Sequence, residues 1–206
     1  MPNWCNNTIT LSGPKDKITS IYNKAKESNE FLEQLYPMPK ELEITAGYLG
    51  DGDEQKELEA RQQANLEKFG HKDWYDWRVA NWSTKWDVDA ENLELSKDGT
   101  TITGWFDSAW APPTGAYDFF LARNEDCSIQ AYYYEGGMDF GGFYDDGADD
   151  CITLSDYNAD EMEDHNSGLV YDLNELFNFS EYVREYEEEQ KTETEKFIVD
   201  KEAVNG

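Results

Sequence analysis

Between Arg123 and Arg184 the chain runs for sixty residues without a Lys or Arg, and those residues include sixteen Asp and Glu. The formal net charge of the whole protein is −28. Charge of one sign repels itself and costs a compact state stability. A chain like this must offset that cost by burying apolar surface, and its apolar side chains are largely aromatic. Seven Trp, thirteen Tyr and ten Phe make up 15% of the residues. Acidic disordered chains are poor in such residues. A folded protein with an aromatic-rich core is therefore expected.

The charge also sorts function classes. It opposes direct contact with nucleic acid, anionic lipid and polyphosphate, and it attracts cations and basic proteins. The acids are unevenly placed. Residues 1–100 carry 12 basic and 19 acidic groups, whereas residues 101–206 carry 5 and 26. No stretch reaches the roughly 18 apolar residues of a membrane span. Met1-Pro2-Asn3-Trp4-Cys5 lacks the basic and apolar regions of a signal peptide. Cys5, Cys127 and Cys151 are odd in number and without CxxC spacing, which suits reduced thiols in a cytoplasm.

Periodicity gives an order of elements. Trp4 to Leu11 alternates as a strand and stops at Ser12-Gly13-Pro14. Ile18, Ile21, Tyr22 and Ala25 fall at helical spacing, and Phe31, Leu32 and Leu35 on a second short helix. A polar helix is expected over residues 51–69, with Leu58, Leu66 and Phe69 as its weak apolar stripe. A Trp-rich block follows at residues 73–86. Leu93 to Ser96 and Thr101 to Phe106 form a hairpin across Lys97-Asp98-Gly99. Pro112-Pro113 opens a helix carrying Ala116, Phe119 and Phe120, and Ser128 to Glu135 is another strand. Strand, helix, strand, strand, helix, strand is the order of the split βαβ, or ferredoxin-like, plan. The expected fold is α+β, with the Trp-rich helical insertion at about residues 36–90. An added hairpin around Asp145-Asp146-Gly147 and a helix from Asp172 complete it. Asp172 and Glu175 have capping-box spacing there, with Tyr171 and Leu176 as a hydrophobic staple. The expected division is a domain over residues 1–145, an acidic extension over 146–190 and a flexible tail over 191–206.

Several motifs occur in a specific order: Asn3-Trp4-Cys5-Asn6-Asn7, then Leu35-Tyr36-Pro37-Met38-Pro39, then Asp73-Trp74-Tyr75-Asp76-Trp77 with Asn81-Trp82-Ser83-Thr84-Lys85-Trp86. Phe106-Asp107-Ser108-Ala109-Trp110-Ala111-Pro112-Pro113, Tyr134-Glu135-Gly136 and Asp139-Phe140-Gly141-Gly142 follow. Together, over about residues 2–145, they resemble the YubB-type ferredoxin-like family of bacteriophages and conjugative plasmids. The resemblance implies a ferredoxin-like sheet, a mobile-element origin and a bacterial cytoplasm. It implies no activity.

Alternation puts Ile102, Gly104 and Phe106 on one face of the sheet, and Thr103, Trp105 and Asp107 on the other. Ile129, Ala131 and Tyr133 share a face, as do Gln130, Tyr132 and Tyr134. Aromatics on an open sheet of this plan stack RNA bases in some proteins, but such platforms come with basic grooves. The aromatic face is instead expected to lie under the Trp-rich insertion. Trp74, Trp77, Trp82, Trp86, Trp105 and Trp110, with Tyr132 and Tyr134, could alternatively wall a small-ligand pocket. Asp145, Asp146, Asp149 and Asp150 gather oxygen ligands in a turn, but without the EF-hand spacing a solvated acidic turn is the expectation. Asp51-Gly52-Asp53-Glu54 is a poorer cluster of the same kind. His71 and His165 are the two histidines, and Glu161 and His165 would share a face if that segment were helical. No catalytic residues and no cofactor are assigned.

The functional expectation is a non-enzymatic protein that binds a basic host protein, such as a nuclease or defence factor, by occupying its nucleic-acid groove. Duplex DNA carries one charge per ~1.7 Å, so about 40 Å holds roughly 24 charges. A compact chain of this length is also about 40 Å across. The expected contact field is Asp145, Asp146, Asp149, Asp150, Asp160, Glu161, Glu163 and Asp164, with Glu185 to Glu189 as a second patch. Tyr144 or Tyr157 would supply an exposed aromatic contact. The alternatives are a small-ligand module built on the aromatic residues, and a metal-dependent enzyme at the acidic turn.

Overall fold

The computed structural model describes residues 3–186 and 188. The expected tail at 191–206 lies outside the described residues.

Strand β1 (Trp4–Ser12) alternates strictly, with Cys5, Asn7, Ile9 and Leu11 buried on one side. It is the centre of an α+β fold with an open six-stranded antiparallel sheet. Its two neighbours are β3 (Thr101–Ala109) and β4 (Ser128–Glu135). Beyond β3 lies the short β2 (Leu93–Leu95), and beyond β4 lie β5 (Phe140–Asp145) and β6 (Ala148–Thr153). The order across the sheet is β2-β3-β1-β4-β5-β6, and every pair is antiparallel.

One face carries α1 (Lys15–Ser28), α2 (Leu32–Leu35), α4 (Trp74–Trp82) and α5 (Thr114–Leu121). Ile18, Ile21 and Ala25 of α1 enter one core with Ile9, Leu11, Ile102, Phe106, Ile129 and Ala131 from the strands. Helix α4 is started by Asp73, whose carboxylate accepts from the backbone N–H groups of Tyr75 and Asp76 at 3.0 and 3.2 Å. That cap holds Trp77 and Trp82 in the same core, at 5% and 0% exposure. The Trp82 indole N–H donates to the Tyr36 carbonyl at 2.8 Å, which satisfies its polar edge. The polar helix α3 (Asp53–Phe69) packs at the periphery. Leu58 is buried in it, whereas Leu66 is exposed.

This corrects one expectation. The Trp-rich insertion belongs to the helical face, not to the aromatic face. The aromatic face is covered by the C-terminal elements over its β4–β6 half, and the insertion meets it only at one end, where Trp86 packs on Trp4. Helices α6 (Ala159–Glu163) and α7 (Leu169–Phe177) bring Met162, Val170 and Leu173 against Tyr132, Tyr134, Ile152 and Leu154. Phe179 stacks on Tyr134 at 5.1 Å between ring centroids. Gly141 makes the approach possible, because a Cβ there would meet Leu173 Cδ1 at 2.9 Å.

A second correction concerns α7. It starts at Leu169, three residues before the expected point, and its N-cap is Gly168 with φ 64° and no side-chain cap. Leu169 and Val170 are drawn into the helix because their side chains join the second core. A capping box does exist, but at Asn158 and Glu161, where it starts α6. There Asn158 Oδ1 accepts from Glu161 N–H at 3.0 Å, and the Glu161 carboxylate accepts from Asn158 N–H at 2.9 Å. His165 lies beyond the end of α6, so no helix face joins it to Glu161.

Candidate functional site

The β5–β6 hairpin sets four of the candidate acids. Asp145 pairs with Ala148 and Gln130, which puts its side chain on the aromatic face with Asp150. Asp149 pairs with Tyr144 and lies on the helical face. Asp146 sits in the turn with φ 49° and is occupied: it accepts from Ile129 N–H at 2.7 Å and the Ser128 hydroxyl at 2.9 Å. The Asp149 carboxylate accepts from the Tyr133 hydroxyl at 2.6 Å. The four acids are all exposed, but they flank an edge of the sheet on both sides. Period-two alternation forces this split on any hairpin.

Asp160, Glu161, Glu163 and Asp164 are exposed on and just after α6. Two of them pair with one Arg. Arg184 bonds Asp160 at 3.1 Å and Glu163 at 2.7 Å, and its guanidinium holds the Glu163 carboxyl below its ordinary range. These exposed pairs contribute little to stability, and they join Arg184 to α6. Glu185 and Glu188 of the second patch are exposed. Glu187 and Glu189 lie outside the described residues. No group of three or more metal-capable side chains occurs among the described residues. No helix among them is long and apolar enough to cross a membrane.

The eight aromatics of the expected pocket do not form one site, although Trp74 and Trp86 line a shared cavity of about 430 Å³ with Arg78. Trp77 and Trp82 are core. Trp86 packs on Trp4 at 5.9 Å, and Trp110 faces Tyr75 at 6.5 Å. Trp74 packs against the first core. Trp105 stands on the other face, 55% exposed, on the half of the sheet that α7 does not reach. Tyr132 and Tyr134 lie under the C-terminal elements. Tyr144 is buried at 1% exposure and donates to Asp118 at 2.7 Å, so it is no surface contact. Lys85 gathers three rings instead, lying 4.4 Å from the centroid of Trp86, 5.2 Å from Trp110 and 5.7 Å from Tyr75.

An aromatic-walled cleft of about 400 Å³ lies elsewhere, between the end of β4, α6 and residues 180–186. Tyr134, Tyr157, Phe179, Tyr182 and Tyr186 wall it. Leu154, Met162 and Val183 add apolar surface, and Asp139 and Ser155 add polar surface. Asp139 accepts from both the backbone N–H and the hydroxyl of Ser155. Burial, then the neighbouring acids Glu135 and Asp139 with Tyr182 between them in weight, raises the Tyr134 hydroxyl above its ordinary range. Sequence reasoning named Tyr157 and Tyr134 but missed the cleft. The spacing of Tyr182 and Tyr186, four apart on one helical face, was the available signal.

The motif residues Cys5, Asn7 and Ser108 meet beneath the helical layer. Asn7 Nδ2 donates to the Ser108 hydroxyl at 2.9 Å and to the Cys5 carbonyl at 2.7 Å. Burial pushes the Cys5 thiol up to about 12, which leaves it protonated and poorly nucleophilic. The three cysteines are free.

No family model matches the chain, and no curated protein matches it. Among solved structures, the chain is similar to protein api92 from Yersinia pseudotuberculosis, described by the family DUF1281. The identity is 12% and the TM-score 0.37, over 74% of this chain and 98% of that one. A likeness at that level decides neither fold nor activity.

Proposed function

We propose that this is a non-enzymatic protein that binds and inhibits a basic, nucleic-acid-binding or defence protein by presenting carboxylates in place of phosphates. The observation that supports it is the exposure of all eight candidate acids in a region where Arg184 is the first cation after Arg123. Carboxylates arranged along a sheet edge and an adjoining helix give a long-range field that steers a cationic partner and speeds its association. The same field argues against direct binding of nucleic acid.

The order β2-β3-β1-β4 with α1 and α5 as crossovers supports a ferredoxin-like split βαβ core over residues 1–145, with 146–190 as an acidic extension packed on it. The resemblance to the YubB-type family supports a phage or plasmid origin and action in a bacterial cytoplasm.

The test is capture from bacterial lysate on immobilised protein at low and moderate salt, followed by elution with duplex DNA. A captured protein that the duplex releases, and whose purified DNA binding this chain blocks, is the expected result. Capture that duplex DNA does not compete would sink the mimicry reading.

A further inference from the structure

We propose that the cleft between β4, α6 and residues 180–186 is an aromatic cage for a basic side chain, an Arg or Lys on the surface of the partner protein. This rests on the basic-partner reading above and names the place where that partner is gripped.

The cleft has the chemistry of a cation cage. Tyr157, Tyr182 and Tyr186 line it, whereas Tyr134 and Phe179, which also line it, are stacked on one another and form its floor. An aromatic face carries partial negative charge and attracts an ammonium or guanidinium within about 6 Å of the ring centroid. Aliphatic walls from Leu154, Met162 and Val183 suit the methylene stem of such a side chain. Asp139, whose carboxylate accepts from Ser155, supplies the negative charge of the lining, and no Lys or Arg lines the cleft among the described residues. At about 400 Å³ it exceeds one side chain and can admit the flanking backbone as well. Tyr182 and Tyr186 are 73% and 63% exposed, so their rings are reachable.

The molecule already satisfies one cation in this way. Lys85 is ringed by Trp86, Trp110 and Tyr75 at 4.4–5.7 Å. The cleft is likewise aromatic, built from Tyr and Phe rather than Trp, and holds no Lys or Arg among the described residues. Arg184 itself is held by Asp160 and Glu163. The charge around the opening therefore selects a cationic occupant over a neutral apolar one.

The test titrates the full-length protein, by calorimetry, with an Arg-Gly repeat peptide and with the same peptide carrying citrulline, the neutral isostere of Arg. The Arg peptide should bind and the citrulline peptide should not. Tyr182→Leu with Tyr186→Leu keeps apolar bulk but removes two ring faces, and should weaken the Arg peptide roughly tenfold. That factor should survive added salt, whereas the loss caused by Asp145→Asn with Asp150→Asn should shrink as salt screens it. A second measurement does not depend on the variants: the Arg side-chain methylene protons should move upfield on binding, as they do over aromatic rings. Equal binding to parent and to the Tyr double variant, with no upfield shift, overturns the cage and leaves the charge reading standing. Equal binding of the citrulline peptide makes the cleft an ordinary apolar groove and also overturns it. Absence of Arg-peptide binding to any form at low salt removes both the cage and the basic-partner reading.

Discussion

Cys5 and Cys151 carry the same thiol in opposite surroundings. Cys5 has no exposed surface, and burial raises its pKa far above the solution range. Cys151 is exposed on β6. A thiol-specific reagent at neutral pH should modify Cys151 rapidly, Cys127 more slowly because it is half-buried, and Cys5 only after denaturant is added. Rapid modification of all three in the native protein would contradict this arrangement. Gly142 is a second position where one residue decides. The Tyr133 ring lies directly over it, so an added Cβ would clash with the Tyr133 hydroxyl and meet the Asp150 carbonyl at 2.6 Å. Gly142→Ala should cost about 1–3 kcal/mol, the usual range for overpacking, measured by denaturant unfolding. Trp77 and Trp82 were readable as members of a Trp-rich block, since so dense a set of large aromatics is mostly buried, but their flanking Asp76, Arg78, Asn81 and Ser83 gave no local sign of which would be core. It could not show Tyr133 over Gly142, since that contact depends on the register of β4 against β5.

Caps and cores act at the scale of elements. Trp82→Ala should lower stability by roughly 3–5 kcal/mol, the cost of deleting a large buried aromatic, and Asp73→Ala by about 1 kcal/mol through loss of the α4 cap. Unfolding curves that match the parent would show the insertion to be peripheral. Asp87 caps α2 from outside, accepting from Leu32 and Glu33 N–H at 2.7 and 2.9 Å. Burial nonetheless pushes its carboxyl up to about 6, above the ordinary 3.8. Between about pH 4 and 6 the folded state keeps a proton that the unfolded chain has released. The contribution of Asp87 to stability therefore falls as pH rises through that window and is constant above it. Asp87→Asn should flatten this component in a comparison of Tm against pH. Strand alternation, the Lys97-Asp98-Gly99 turn and the hairpin at Asp145-Asp146-Gly147 were readable, because each is set by neighbours in sequence. The partner of the aromatic face was not. Leu173 and Phe179 reach it from more than thirty residues beyond β4, and nothing local distinguishes a strand face covered by α4 from one covered by α7. The start of α7 was misjudged for a related reason: burial of Leu169 and Val170 outweighed the local spacing of Asp172 and Glu175.

Across the whole molecule, charge and fold pull against each other. Asp145→Asn and Asp150→Asn should leave unfolding midpoints unchanged or raise them slightly, since the one side-chain hydrogen bond of either among the described residues, from Gln130 to Asp145 at 3.0 Å, is exposed and an Asn oxygen can still accept it. Asp146→Asn and Asp149→Asn should lower stability, because those carboxylates serve Ile129 and Tyr133. A thermal series over the four single variants separates the two pairs, and equal effects at all four would refute the distinction. The acidity of the candidate site was fully legible in the sequence. Its division over two faces was not, because that needs the pairing of β5 with β6. Strand β6 ends the sheet, and its outer edge is a row of backbone groups on which another strand could be templated. Asp149 and Asp150, both exposed, stand on that edge strand, one on each face. Near the sequence pI of 4.1 the net charge falls to zero and the colloidal repulsion between molecules is lost. Acidified solutions should therefore turn cloudy through edge-to-edge growth well before the helical layer comes apart.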